Sequence, residues 1–485
     1  MKKLSKFLEN IEVIERIGEG DPDVTGVTAD SRKVTHGSMF VAVEGTQVDG
    51  HSYINSAQKQ GAVVVLCQNL PEELIDGTIY IKVSDTAFAL GVMASCFYDF
   101  PSHSINVVGV TGTNGKTTVA TLLYQLAIKL GYKAALFSTV ANYINEISYE
   151  ATHTTPNAIV LQRSLKEMVD AGCEFCFMEV SSHAVDQKRI SGLNFKGSIF
   201  TNITHDHLDY HKTFDAYLAA KKGFFDNLGK DAFALINSDD RNGSIMVQNC
   251  KAVKKTYSLR SASDFKTRVI ENLFEGMQLE MNGKEVWTPF IGNFNASNLT
   301  AVYGAAILLG WDDPQLLPAI STLKPVMGRF DAVRSPHGVT AVVDYAHTPD
   351  ALQNVLEALN QIRSKGNELI TVVGAGGDRD KGKRPLMAAE AVKSSSRVIF
   401  TSDNPRGEEP EAIIEDMMKG VRFEDRIKVI TIVNRREAIR TACSVAREGD
   451  VILIAGKGHE TYQEVKGKRS HFDDKEIVQE YFDQL

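Results

Sequence analysis

The feature that most constrains this chain is the run Ile105-Asn106-Val107-Val108-Gly109-Val110-Thr111-Gly112-Thr113-Asn114-Gly115-Lys116-Thr117-Thr118. Its mostly apolar first part, Ile105 to Val110, reads as a buried strand. A glycine-rich turn follows, then a helical stretch from about Thr118 to Leu130. Strand, glycine turn and helix in that order make a phosphate-binding loop. Glycine lets backbone N–H groups converge on phosphate oxygens, where a side chain would block them. The helix N-terminus adds partial positive charge. In such a loop Lys116 serves the terminal phosphates and the Thr117 hydroxyl is a Mg²⁺ ligand. Gly112, Thr113, Asn114, Gly115, Lys116, Thr117 and Thr118 are thus the expected ATP contacts. Val110 stands where the strict pattern has Gly, so the loop is a variant.

At 485 residues the chain exceeds one ordinary core, and three domains are expected. Short apolar runs at Ser38–Val43 and Ala62–Leu66 flank a helix at Ile54–Gln60, and the segment closes at Pro101. Beyond the phosphate loop, strands near Ala134–Phe137, Phe175–Val180, Gly197–Thr201 and Ala232–Ile236 alternate with helices near Ile159–Ala171 and Phe214–Asp226. A third stretch repeats the pattern, with strands near Val339, Leu369, Arg397, Lys428 and Val451. The expected fold is α/β in three domains: a small α/β domain over 1–102, a central phosphate-loop ATPase-type parallel-sheet domain over 103–327 and a Rossmann-like domain over 328–485.

A net charge of −8 provides no basic surplus for nucleic acid, and no apolar run approaches a membrane span. Met1-Lys2-Lys3-Leu4 is followed by Glu9, Glu12 and Glu15 rather than an apolar core, so no signal peptide and a cytoplasmic location are expected. Cys173 and Cys176 form a C-x-x-C, but the run to Glu179 looks like a strand entering a core, which favours buried, inert thiols.

In open α/β sheets ligands bind beyond the carboxyl ends of strands. Glu179 is such a strand-end residue, on the rim of the phosphate loop and suited to Mg²⁺. The run His205 to His211 holds three histidines and two aspartates in seven residues, either a metal site or a solvated polar loop. Lys221 lies on the following helix, where a surface lysine is the expectation from sequence alone. In the last third, Asp344, the glycine turn with Arg379, the run Asp403-Asn404-Pro405-Arg406, and Gly456 with Glu460 all end strands. They form either a zwitterionic amino-acid site or a set of capped turns.

Together these motifs resemble the Mur ligase family, the ATP-dependent amino-acid ligases of peptidoglycan synthesis. The resemblance rests on Thr28–Arg32, the phosphate loop, His153-Thr154-Thr155-Pro156, Glu179–His183, Asp206–His211, Gly292–Asn298, Gly328-Arg329-Phe330, Asp344–His347 and Asp403–Arg406. Phe294 replaces a His found in many relatives. The resemblance implies an ADP-forming ligase that adds meso-2,6-diaminopimelate to UDP-N-acetylmuramoyl-L-alanyl-D-glutamate through an acyl phosphate. Ser31, Thr46, Gln47 and Val48 would hold the uridine nucleotide, and Thr154, Thr155, Ser181, Gln187 and Arg189 the muramoyl-dipeptide. Thr117, Glu179 and His207 would ligate two Mg²⁺ ions beside a carbamylated Lys221. Asn295, Asn298, Arg329 and Asp344 would contact ATP. Arg379, Asp403, Asn404, Pro405, Arg406, Gly456 and Glu460 would contact diaminopimelate, whose far carboxylate Arg406 matches. A monomer with small-molecule substrates only is expected. A lysine-adding or folylpolyglutamate-type ligase and a phosphate-loop switch are the alternatives.

Overall fold

Strand Asn106–Thr111 runs through the middle of an eleven-stranded sheet, with Phe175–Glu179 on one side and Phe195–Phe200 on the other, both parallel to it. The computed structural model describes residues 1–45, 48–149, 154–311 and 314–484. The parallel set continues outward through Ala134–Phe137 on one side and through Phe233–Asn237, Val253–Ser258 and Phe265–Leu273 on the other. Val107, Val108 and Val110 are buried because helices cover both faces. Lys116–Lys129 and Asn293–Leu308 pack on one face, and Ala158–Asp170 and Phe214–Asp226 on the other. From Asn106–Thr111 the chain builds outward to one side first, then reverses to Phe195–Phe200. That reversal opens a crevice at the carboxyl end of the strand, where the glycine turn sits.

Antiparallel strands extend this sheet at both edges: the hairpin Asn142–Ile144 with Ile147–Tyr149, and the meander Phe265–Leu273, Gly276–Met281, Lys284–Thr288. These additions were not expected from sequence. Exposed Lys266 and Arg268 alternate with buried Phe265 and Thr267, and Glu271 beyond them is exposed too, so Phe265–Leu273 carries no continuous apolar run.

The last third forms a six-stranded sheet in the order Asp331–Arg334, Thr340–Asp344, Val451–Ala455, Leu369–Val373, Arg397–Phe400, Val429–Thr431, antiparallel only at its first strand. Helices Pro349–Ile362, Lys383–Ser394 and Pro410–Met418 cover one face, and Arg435–Val445 and Asp474–Phe482 the other. Helix Pro349–Ile362 shows why it forms. Thr348 Oγ1 accepts from Ala351 N at 3.3 Å, and Pro349 needs no donor in the first turn. Leu352, Val355, Leu356 and Leu359 then recur on one buried face.

The first third is a five-stranded sheet, Glu15–Ile17, Ile79–Lys82, Ala62–Cys67, Ser38–Val41, Gly26–Thr28. Its helix Thr86–Phe97 packs on Ala158–Asp170 of the central unit. The six cysteines are unpaired and buried; burial pushes the Cys176 thiol well up, as an inert core residue requires.

Candidate active site

The phosphate loop is tied to the end of the neighbouring strand. Asn202 Oδ1 accepts from Asn114 N at 2.9 Å, and Thr201 Oγ1 donates to Asn114 O at 2.6 Å. Gly112 has φ +153°, and a Cβ there would sit 1.9 Å from Thr201 Oγ1, so only glycine fits. Gly115 leads into helix Lys116–Lys129, which places Thr117 and Thr118 in its first turn. Lys116 Nζ donates to Gly112 O at 3.0 Å and Thr113 O at 2.7 Å.

Lys221 Nζ donates to the same Gly112 oxygen at 2.7 Å and lies 4.7 Å from the Tyr217 ring centre. Its residue is only 1% exposed, which corrects the expectation of a surface lysine. The correction has a signal in the sequence: Tyr217, Lys221, Phe224 and Phe225 share one helix face, and that face turns inward. Burial pulls both ammonium groups below the usual lysine range, and the neighbouring Lys116 charge pulls Lys221 further.

On the rim, Glu179 is 1% exposed and its Oε1 accepts from Thr139 N at 2.6 Å. Thr155 Oγ1 donates to Glu179 O at 2.8 Å and accepts from Ser181 N at 3.2 Å. Thr139 Oγ1 donates to Thr154 Oγ1 at 3.0 Å. Arg189 donates to Thr155 O at 3.0 Å and to Gln187 Oε1, and Gln187 Nε2 donates to Tyr210 Oη at 3.1 Å. Thr154, Thr155, Ser181, Gln187 and Arg189 therefore form one connected patch beside Glu179. His207, at φ +55°, stacks edge-on to His183 with ring centres 5.1 Å apart. Burial pushes its imidazole below the usual histidine range, against the pull of Asp206, which favours the neutral ring that can ligate a metal.

Thr117 and Glu179 offer oxygen donors of the kind Mg²⁺ takes. Among the described residues no three His, Cys, Asp or Glu side chains converge into a cage. A buried carboxylate and a hydroxyl beside a phosphate loop are what Mg²⁺ uses, since it keeps waters and substrate phosphates as its other ligands.

The last domain reaches this site directly. Arg329 Nη2 donates to Thr117 Oγ1 at 3.2 Å, and its guanidinium lies 4.5 Å from the Tyr345 ring centre. Asp344 is buried and accepts from Phe330 N and Ala346 N, each at 2.7 Å. Burial raises its carboxyl, with Arg329 pulling the other way. Asn298 Nδ2 donates to Asn295 Oδ1 at 3.4 Å. Asn295 also lines a cavity of about 200 Å³ whose walls include Phe274, Phe290, Ile291 and Phe330. Phe294 packs against Phe330, ring centres 5.6 Å apart, an apolar contact between the central and last domains. Sequence reasoning missed Asp350, whose Oδ2 accepts from Asn114 Nδ2 at 2.9 Å; in the first turn of a helix it passes for an ordinary end charge.

A second cluster lies on the rim of the last sheet. Asn404 Nδ2 donates to Glu460 Oε2 at 2.7 Å, and Asn404 N to Asp403 Oδ1 at 2.7 Å. Lys457, also missed, is fully buried; its Nζ donates to Asn404 Oδ1 at 3.1 Å and to Glu460 Oε2 at 3.2 Å. Burial raises the Glu460 carboxyl and Asp403 adds to this, while Lys457 opposes both. Gly456 lies so close that a Cβ would come within 2.5 Å of Asp403 Oδ2. Past Pro405, Arg406 Nη1 donates to Gly377 O at 2.9 Å. Arg384, 1% exposed, forks onto Glu408 at 2.7 and 3.0 Å and also meets Asp416 at 2.9 Å. Glu408 in turn accepts from Asp378 N at 2.7 Å, which fixes the Arg379 turn against the Arg406 turn. Arg379 itself is exposed, with Nη1 donating to Asp378 O at 3.1 Å.

In the first domain Ser31 is buried in a turn after Gly26–Thr28, and Val48 is exposed. Thr46 and Gln47 lie outside the described residues, as does His153.

A strapped phosphate loop, with a second α/β domain reaching into it, defines a multidomain phosphate-loop enzyme. The chain belongs to the Mur ligase family. Residues 23–98 match the model described as Mur ligase family, catalytic domain, residues 110–306 the Mur ligase middle domain, and residues 328–458 the Mur ligase, glutamate ligase domain. It is 59% identical over 480 residues to UDP-N-acetylmuramoyl-L-alanyl-D-glutamate--2,6-diaminopimelate ligase of Phocaeicola vulgatus, covering 99% of both chains. It is 41% identical over 469 residues to the ligase of the same name from Geobacillus kaustophilus, covering 95% of each. A solved structure of a UDP-N-acetylmuramoyl-L-alanyl-D-glutamate--2,6-diaminopimelate ligase aligns with TM-score 0.69 at 33% identity, over 95% of both chains.

Proposed function

We propose that this enzyme joins meso-2,6-diaminopimelate to UDP-N-acetylmuramoyl-L-alanyl-D-glutamate, with ATP converted to ADP and phosphate, in the synthesis of peptidoglycan precursors. The observation that carries the reading is the charge pattern of the second cluster. Asp403 and Glu460 put carboxylates on this rim, with Lys457 beside Glu460, Arg406 offers a fork to a substrate carboxylate, and the domain bearing them touches the phosphate loop through Arg329 and Asp350. Diaminopimelate presents both charges at its far end. Lysine lacks the far carboxylate and would leave Arg406 unpaired.

The chemistry follows from the parts. A carboxylate acylates poorly, so its oxygen first attacks the γ-phosphorus of ATP, giving an acyl phosphate and ADP. Such transfer is positioning plus charge neutralisation. The loop amides and Lys116 hold the phosphates, while Asn295 and the apolar wall of Phe274, Phe290 and Phe330 suit a purine. The patch Thr154, Thr155, Ser181, Gln187 and Arg189 holds the muramoyl-dipeptide so that its terminal carboxylate points at the loop; Ser31 and Val48 lie on the uridine side. Thr117, Glu179 and His207 would hold Mg²⁺, which would neutralise phosphate charge when bound. Lys221, buried and easily deprotonated, is the lysine suited to carry a carbamate beside it. The amine of diaminopimelate, oriented by Arg379, Asp403, Asn404, Arg406, Gly456 and Glu460, then attacks the acyl carbon, and phosphate leaves. Six unpaired thiols support a reducing, cytoplasmic setting.

The test is to incubate the protein with ATP, Mg²⁺, the UDP-muramoyl-dipeptide and meso-diaminopimelate, omitting each in turn, and to measure phosphate and the amide product. Amide formation that survives omission of any one of ATP, dipeptide or amino acid would overturn the reading. So would equal use of L-lysine.

A further inference from the structure

Asp350 holds none of the substrates in the scheme above, yet it reaches the phosphate loop from another domain. It sits in the first turn of Pro349–Ile362, and one oxygen, Oδ2, accepts from Asn114 Nδ2 at 2.9 Å and Thr204 Oγ1 at 3.3 Å, as well as from its own helix neighbour Asn354 at 3.3 Å. Asn114 is in turn fixed to Thr201 and Asn202. Thr204 N donates to Thr113 Oγ1 at 3.0 Å, so both donors belong to the strapped loop assembly. Burial raises the Asp350 carboxyl, and the two cross-domain hydrogen bonds oppose that rise. A half-buried carboxylate carries a desolvation cost, which its hydrogen bonds to Asn114 and Thr204 offset.

We propose that Asp350 is an interdomain latch, a positioning residue that holds the last domain over the phosphate loop while the acyl phosphate exists. The inference rests on the ligase reading above. The side reaction it suppresses is hydrolysis. A water oxygen attacks the acyl carbon, the bond from that carbon to the phosphate oxygen breaks, and free carboxylate and phosphate are released with the water protons passing to solvent. The net result is ATP plus water giving ADP plus phosphate, with no amide. A latched domain keeps water out and the amine in place. Arg329, at the start of the last domain, also donates to the loop at Thr117; Asp350 acts from that domain's helix Pro349–Ile362.

The experiment measures amide product and phosphate in the same samples of the full-length protein, with ATP, Mg²⁺, UDP-muramoyl-dipeptide and meso-diaminopimelate. Wild type should give close to one amide per phosphate. Asp350→Ala should lower that ratio by about half or more while the ATP KM moves less than about threefold, as expected for a lost closure contact. Asp350→Asn, which keeps an oxygen acceptor in place, should recover most of the ratio. Thr204→Val, which removes one donor, should lower it by less. A merely structural role would reduce the amount of active enzyme and leave the ratio unchanged. An unchanged ratio in Asp350→Ala overturns the latch alone, and so does tighter ATP binding with the ratio intact, which would make the contact a resting-state block. If Asp350→Ala fails to fold, an unchanged ratio in both Asp350→Asn and Thr204→Val overturns it. Phosphate release without any amide in the wild type overturns the ligase reading itself.

Discussion

The phosphate loop and the Arg406 cluster both lie beyond the carboxyl ends of parallel strands, yet they are built from different materials. The loop is made by backbone: Gly112 leaves no room for a Cβ, Asn202 and Thr201 hold the main chain, and two lysines point at one carbonyl. The cluster is made by side chains: Asn404, Lys457, Glu460 and the Arg384–Glu408 pair hold one another in place. A backbone cradle suits a ligand whose phosphates are always the same. A side-chain network suits a ligand that must be told from near copies, because single replacements retune it. Damage to the first should therefore abolish activity, and damage to the second should shift preference.

The largest effect is expected at the loop. Lys116→Ala should reduce amide formation on the order of 10³-fold or more, since it removes charge neutralisation from the transferred phosphoryl. Binding of the UDP-muramoyl-dipeptide, read by calorimetry, should stay nearly constant. Retention of more than about a tenth of kcat, a loss under about 1.4 kcal/mol, would remove Lys116 from the chemistry.

Lys221 should come next. Lys221→Ala should lose about 10²–10³-fold in kcat, comparable to loss of one preorganised charge-stabilising group. If a carbamate supplies the missing oxygens, a short carboxylic acid added to the variant should restore part of the rate. Full activity of the alanine variant would place Lys221 outside the site despite its contact with Gly112.

At the cluster the expected change is one of choice. Arg406→Ala should cost at least about 2 kcal/mol in kcat/KM for diaminopimelate, because a buried carboxylate loses its partner. The trace rate with lysine should hardly move. An equal fall for both amino acids would make Arg406 a turn residue and erase the contrast between the two regions.

The smallest effect is expected behind the cluster. Glu408→Gln should loosen the Arg406 turn and reduce the preference for diaminopimelate by about 1 kcal/mol, the scale of coupling within one network. It also has a pH signature. The Arg384 contact, with the Asp378 amide, holds the Glu408 carboxyl at about 2 against an ordinary 4.5. A depressed carboxyl stabilises the fold above its unfolded value and loses that contribution as pH falls through the folded one. The Tm difference between wild type and Glu408→Gln should thus be complete above about pH 4.5 and shrink towards about pH 2. A difference that grows on acidification would contradict the assignment.

The parallel strands were legible because two-sided burial demands continuous apolar runs, as in Leu369–Val373 and Arg397–Phe400. Strand-end motifs were legible for the same reason, since chemistry follows where such runs stop. The meander after Phe265 was not, because one of its faces is wet and polar. The burial of Lys221 is legible only through the apolar face it shares with Tyr217, Phe224 and Phe225; its neighbour Lys222 instead pairs with Asp226 at 2.7 Å. Asp350 and the Arg384–Glu408 pair were illegible in a stronger sense. Asp350 meets Asn114 across 236 positions of sequence, and no local pattern registers such a contact.

One detail of the cluster bears on how this enzyme could change over generations. Arg406 sits at φ +51°, a region that side chains other than glycine, asparagine and aspartate enter reluctantly and β-branched ones hardly at all. Any replacement is therefore screened twice, first by the backbone and only then by charge. A drift towards another amino acid through valine or isoleucine would disturb the turn before it altered the preference. Glycine, asparagine or aspartate would keep the turn while discarding the cation. The mutational paths by which this ligase could acquire a different substrate are narrowed by one dihedral angle, however many codons lie a single base away.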